Sequence, residues 1–326
     1  LSIFSSIDAR HMGLVYNNFR VFLDARRRGA SFESVLTLGR QQMYLSDDEV
    51  RLLAQEFPEY VQAAHGCPQA GEYCEPWLHR WLGCNRLESM DASGYEGATL
   101  VHDLNYPIPE QYASQFSAVI DGGSLEHIFF VTTAIANAMR MTSTGGWLFI
   151  ATVANNHCGH GFYQFSPEWF FRVFSAANGF EIADVLFMPH RYPGTELSEN
   201  RQLYRVADPA QVGRRVGLVG AQPVLVFASA RRIEIRELFQ SPPHQSDYVE
   251  RWQEQSAQQG ESAPPPAAQV STKVRRLCGG GWRRIRAHLP RRVQRYLMGR
   301  SQLHDFRLQN QDLFVPWHPA NRATAG

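Results

Sequence analysis

Residues 98–156 hold three short apolar runs, and the first two stop on a carboxylate. The first, Thr99-Leu100-Val101-His102-Asp103, continues through Leu104-Asn105 into a proline-marked turn. The second, Phe116-Ser117-Ala118-Val119-Ile120-Asp121, is followed by Gly122-Gly123-Ser124-Leu125-Glu126-His127. An apolar segment of helical character then runs to Met141, Gly145-Gly146 breaks it, and a third run follows from Trp147 to Val153. Strand, turn, strand, helix, strand is the grammar of a parallel α/β sheet. Ligands of such sheets sit beyond the carboxyl ends of the strands, which is where Asp103, Asp121 and the glycines fall.

A chain of 326 residues with 44% hydrophobic content has the core for one large α/β domain with additions, or for two modest domains. Its formal net charge of +1 gives no overall field to attract nucleic acid. Five cysteines at irregular spacing do not make a secreted disulfide framework, so a reducing, cytoplasmic compartment is expected. No apolar run reaches the ~20 residues a membrane-spanning helix needs, and the first residues lack a signal-peptide pattern. A start at Leu1 rather than methionine leaves room for a removed leader.

Along the chain, residues 12–28 predict a helix, because Leu14, Val15, Phe19, Phe22 and Leu23 recur at helical spacing before Arg26-Arg27-Arg28-Gly29. Ser34-Val35-Leu36-Thr37-Leu38-Gly39 is a short strand ending in glycine, and Ser46-Asp47-Asp48-Glu49 caps a helix that reaches Pro58. His65, Cys67, Cys74, His79 and Cys84 invite a zinc reading, but their gaps match no paired ligand spacing, and no metal is expected there. The expectation is a partly helical insertion whose Trp77, Leu78, Trp81 and Leu82 bury against the sheet or cap a pocket. Arg86-Leu87-Glu88-Ser89-Met90-Asp91 gives a further strand, the third to end near an acid. After Val153 comes a polar and aromatic loop, and Ser166-Pro167-Glu168 opens a helix that stops at Asn178-Gly179. Residues 180–187 and 223–230 read as strands joined by an irregular link, residues 253–270 as a disordered linker, and residues 273–300 as arginine-rich without an acid.

Over roughly residues 31–230 these runs resemble a class I S-adenosylmethionine-dependent methyltransferase. The resemblance implies a doubly wound, mostly parallel seven-stranded α/β sheet, with residues 180–187 and 223–230 as its last two strands and the final one antiparallel. Leu38 and Gly39 stand where the family's glycine-rich first loop meets the methionine part of the cofactor. Asp91 matches the acid that takes the ribose hydroxyls, and Asp103 with Leu104 matches the turn that holds the adenine. Asp121, Gly122 and Gly123, continuing to Leu125-Glu126-His127, match the motif that lines the sulfonium and the acceptor. Residues 159–167, Gly-His-Gly-Phe-Tyr-Gln-Phe-Ser-Pro, resemble a signature of one bacterial methyltransferase-like subgroup. The implied organisation is a helix in residues 1–30, a methyltransferase-like domain in 31–235 with an insertion at about 59–83, a linker in 236–271 and a basic tail in 272–326.

Methyl transfer asks a protein mainly to hold nucleophile and methyl in line and to exclude water. Where the acceptor loses a proton, His127, His160 and Tyr163 are the candidate catalytic groups, with His157 nearby. The implied cofactor is S-adenosylmethionine and the implied acceptor a small molecule or saccharide. The basic tail, with Trp282, Leu289 and Tyr296 among its arginines, fits weak contact with an anionic membrane surface, and hence a cytoplasmic, membrane-peripheral location. A nicotinamide dehydrogenase would want G-x-G-x-x-G after the first strand, and the chain lacks it. A methyltransferase-like module without catalysis is the alternative, because Gly39 stands alone and the bulky Arg40-Gln41-Gln42 follow it.

Overall fold

The computed structural model describes residues 13–62, 66–191, 201–259 and 306–320. In chain order the front half comprises β1 (Gly13–Val15), α1 (Tyr16–Arg27), β2 (Ser34–Leu38), β3 (Gln42–Tyr44), α2 (Asp47–Glu56), β4 (Glu72–Tyr73), α3 (Glu75–Leu82), β5 (Arg86–Asp91), β6 (Leu100–Val101) and β7 (Phe116–Asp121). The remainder comprises α4 (Val131–Met141), β8 (Thr142–Asn155), α5 (Pro167–Val173), β9 (Phe180–Pro189), β10 (Leu203–Val206), α6 (Pro209–Val212), β11 (Val224–Arg232), α7 (Ser246–Gln259) and β12 (Phe314–Trp317).

Nine of the strands form one sheet in the order β12-β10-β9-β11-β8-β7-β2-β5-β6. The pairs β2·β5, β5·β6, β2·β7 and β7·β8 are parallel. β11 runs antiparallel between β8 and β9, as the resemblance implied for the final strand of the domain. β2 is central because its apolar residues are covered on both sides. Val35 joins Ala118, Ile120 and Phe149 in a cluster under α1, α2 and α3. Leu36 and Leu38 join Val119, Leu148 and Ile150 in a second cluster under α4 and α5. Alternate side chains of one strand point to opposite faces, so these runs feed two cores at once. Phe22 of α1 meets Phe149 with ring centroids 5.1 Å apart, which places the N-terminal helix on the domain itself.

Several elements differ from expectation. The sheet has nine strands rather than seven, because β10 and β12 extend the edge beyond β9 as antiparallel strands. β10 lies in the link expected to be irregular, and β12 lies in the segment expected to be a basic tail. Helix α1 begins at Tyr16, since Gly13–Val15 pairs instead with β3 as a parallel strand. Gly145-Gly146 is a bulge inside β8 and not a break, with Phe116 opposite Thr142 but Ala118 opposite Trp147. α7 occupies the front of the expected linker. The rest of that linker, the basic stretch of residues 273–300, and His65 lie outside the described residues. Among the described residues no helix is long and apolar enough to cross a membrane.

Candidate functional site

Between β2 and β7 the chain reverses its direction of travel across the sheet, the switch point at which open α/β sheets hold ligands. The strand ends are level there, with Leu38 opposite both Met90 and Asp121. Gly39 leaves β2 with φ +69° and donates its N–H to Met90 O at 2.7 Å. A Cβ at this position would stand 3.2 Å from Ser124 Oγ and 3.8 Å from Asp91 Oδ2, so the glycine keeps a narrow gap open between two polar groups. The hydroxyl of Ser124 and the amide of Gln41 both donate to Leu38 O, at 2.8 and 2.7 Å. Leu38, Gly39, Asp91, Asp121, Gly122 and Gly123 thus converge on one edge.

Asp91 Oδ1 accepts from Ser93 N at 3.1 Å. Asp103 sits just past β6, one strand further out than Asp91, and folds as an Asx turn whose Oδ1 accepts from Asn105 N at 2.9 Å and Asn105 Nδ2 at 2.8 Å. Those two bonds hold its carboxyl below the usual range. Leu104 is buried beside it and belongs to the core. Asp121 Oδ1 accepts from Gly123 N and Ser124 N, while Oδ2 is buried without a hydrogen-bond partner. The Gln41 side chain lies close over Gly122, where a Cβ would stand 2.3 Å from Oε1 and the amide would have to shift.

Beyond Ser124, one turn of 3-10 helix, Leu125–His127, meets the loop that follows β8. Phe162 N donates to Glu126 O at 2.8 Å, and a Cβ on Gly161 would stand 2.7 Å from the same oxygen. Gly161, next to His160, therefore lets that loop press against Glu126. Tyr163 donates its hydroxyl to Phe129 O at 2.6 Å, which ties the expected catalytic tyrosine to the backbone. The result is a row of imidazoles: ring centroids are 5.2 Å apart for His127 and His160, 5.7 Å for His160 and His157, and 5.0 Å for His157 and His190. His190 Nδ1 faces Arg191 O at 3.0 Å, and an N–H must donate to a carbonyl. Its Nε2 is then the acceptor for His157 Nε2–H, 3.0 Å away.

Glu126 is fully buried; its Oε2 accepts from the Thr152 hydroxyl at 2.7 Å, and its Oε1 has no hydrogen-bond partner. Burial, and then the charge of Asp121, push its carboxyl up. Burial also raises Asp121 against the pull of the Ser124, Gly123 and Leu125 amides. The imidazoles move the other way. Burial pushes His127 and His160 down, and burial with the neighbouring His190 and His160 pushes His157 down to about 4. At neutral pH His127, His157 and His160 are therefore mostly uncharged.

The sequence had offered Ser124 and Glu126 only as part of the run from Phe116 to His127, and Gln41, Thr152 and His190 not at all as site residues. Nothing local marks them, because each matters through a partner distant in the chain. In the insertion, Cys84 Sγ lies 3.4 Å from His79 Nδ1 and Cys67 donates to Leu45 O. Among the described residues Cys67, Cys74, His79 and Cys84 do not form a three-ligand group. A cleft of about 1100 Å³ between α4, α5 and residues 235–245 is a different place, since Arg140 and Arg232 put it at the amino-end edge of β8.

No protein-family profile matches the chain, and no curated protein matches it. Among solved structures it is similar to a branched-chain polyamine synthase from Thermus thermophilus, at 15% identity over 70% of this chain with a TM-score of 0.34. The chain covers 59% of that synthase's length. It is also similar to a 16S rRNA (adenine(1408)-N(1))-methyltransferase from Catenulisporales acidiphilia, at 15% identity over 65% of this chain and 93% of that one, with a TM-score of 0.32. A third is the N-methyltransferase NodS from Bradyrhizobium japonicum, at 13% identity over 67% of this chain and 97% of that one, with a TM-score of 0.33. Likeness at this level carries no argument about chemistry, so the α/β architecture stands on strand order and direction, and the site on its residues.

Proposed function

We propose that the chain is an S-adenosylmethionine-dependent methyltransferase acting on a small-molecule or saccharide acceptor. The observation that carries this is the level meeting of Gly39, Asp91 and Asp121 at the switch point, with the imidazoles of His127 and His160 following β7 and β8. The residues fit the cofactor. Asp91 would offer the ribose hydroxyls a carboxylate, Asp103 would face the adenine with the buried Leu104 behind it, and Leu38, Gly39, Gly122 and Gly123 would give backbone access to the methionine part. Asp121 Oδ2, buried and without a donor, suits the positive end of such a ligand.

When bound, the cofactor supplies an electrophilic methyl group. The chain then holds the acceptor in line, excludes water through the loop of residues 157–165, and takes a proton on His160 Nε2 or on His127. Phe129, Phe130 and Phe162 are exposed and meet edge to face, at centroid distances of 5.3 and 5.7 Å. They form an apolar platform beside that loop for the acceptor's uncharged face. A module that binds without transferring is the second reading, supported by Gln41, whose side chain fills the space over Gly122. Turnover separates the two.

Calorimetry with S-adenosylmethionine tests the proposal. Asp91→Asn removes one acceptor oxygen from charge-assisted bonds worth about 1.5–3 kcal/mol each, so affinity falls roughly tenfold to a hundredfold. The thermal melt should stay in place, because Asp91 is only partly buried at a strand end. Absence of binding by the parent protein at millimolar ligand sinks the proposal.

A further inference from the structure

We infer that Glu126, His127 and His160 form a binding site for one divalent transition-metal ion. Their ligand atoms all lie within 4.8 Å of one another. Around a tetrahedral ion, nitrogen and oxygen ligands at about 2.0–2.2 Å stand about 3.4 Å apart, so side-chain rotations of roughly an ångström close the set.

Three further observations mark the site as built. Glu126 Oε1 is buried and has no hydrogen-bond partner, and it points towards His160, whose Nε2 is 3.9 Å away. A buried oxygen without a donor is costly and calls for an occupant. The other oxygen of the same carboxylate is fixed by the Thr152 hydroxyl, the kind of outer contact that orients a ligating carboxylate. Finally, Gly161 is pressed against Glu126 O so closely that a side chain is excluded, and this contact delivers His160 to the turn carrying Glu126 and His127.

Two imidazoles and one carboxylate suit zinc, iron(II), cobalt or nickel better than magnesium or calcium, which take oxygen ligands. With three protein ligands and His127 and His160 both partly exposed, the ion keeps open positions for water or a ligand oxygen. The ion binds whether or not the neighbouring cleft takes S-adenosylmethionine. Where that function holds, the bound ion takes the place of the imidazole nitrogens as the group that meets the acceptor, and its open positions lie on the acceptor side.

The test uses the full chain without an affinity tag, stripped by a chelator and titrated with Co²⁺ and Zn²⁺ alone. One equivalent should bind, with the visible bands of a nitrogen- and oxygen-ligated cobalt and no sulfur-to-cobalt charge transfer. His160→Ala and Glu126→Gln should each weaken binding by about thirtyfold or more, roughly 2 kcal/mol. His79→Ala, beside the Cys84 thiol, should leave it unchanged. No binding, affinity unchanged from the parent in both site variants, a loss in His79→Ala, or sulfur charge transfer overturns the inference. Should a site variant lack a cooperative melt, the cobalt spectrum of the parent protein decides by the presence or absence of the sulfur band. Calorimetry with S-adenosylmethionine on the stripped protein keeps failure of the metal site distinct from failure of the methyl-transfer proposal.

Discussion

Arg232 closes β11 with a buried guanidinium that no described carboxylate faces at hydrogen-bond distance. Its Nη1 donates to Thr142 O at 2.6 Å, Arg140 O at 3.1 Å and Ser114 Oγ at 3.2 Å, gathering the end of α4, the start of β8 and the turn before β7. Burial, then the neighbouring Arg140, push its pKa down. Arg140 O also accepts from Ser114 N, so Arg232→Met takes a donor chiefly from Thr142 O. One lost partner for a buried carbonyl costs about 1–3 kcal/mol, partly offset by relief of an unpaired buried charge. Net destabilisation of roughly 1–2 kcal/mol in a urea melt is the expectation. Unchanged stability would mean that desolvation cancels the bonds.

At the scale of elements, legibility followed how local each signal was. β5 and β7 have the expected ends, Arg86–Asp91 and Phe116–Asp121, because a short extended run closed by an acid needs no distant information. α2 was equally plain. Ser46 Oγ accepts from Glu49 N and the Glu49 carboxylate from Ser46 N, the reciprocal cap that Ser-Asp-Asp-Glu predicted. Ser46→Ala should cost about 1 kcal/mol, read as a lowered melting temperature. β10 and β12 were illegible for the opposite reason. Each has four residues, β12 contains Pro316, and their register rests on each other across residues 207–313. The site divided likewise: the acids at strand ends were visible, whereas Glu126 and His190 owe their importance to a loop that folds over them.

For the molecule as a whole, β12 changes what the arginine-rich stretch is. Leu203 pairs with Trp317 and Val206 with Phe314, whose side chains are buried. Ala320 N donates to Asp24 Oδ1 at 2.7 Å, and Arg27 Nη1 to Ala320 O at 2.7 Å. Of the segment expected to be a basic tail, the described piece is thus held to the sheet and to α1. A single protease cut within residues 260–305 should therefore leave a fragment carrying β12 still bound to the sheet. Size exclusion under native conditions should show one species, and denaturing electrophoresis two. Separation of the fragments on the native column would show that covalent connection, and not the edge of the sheet, keeps the C-terminal segment in place. If they stay together, the chain can be supplied as two polypeptides that assemble, with the short one serving as a replaceable strand.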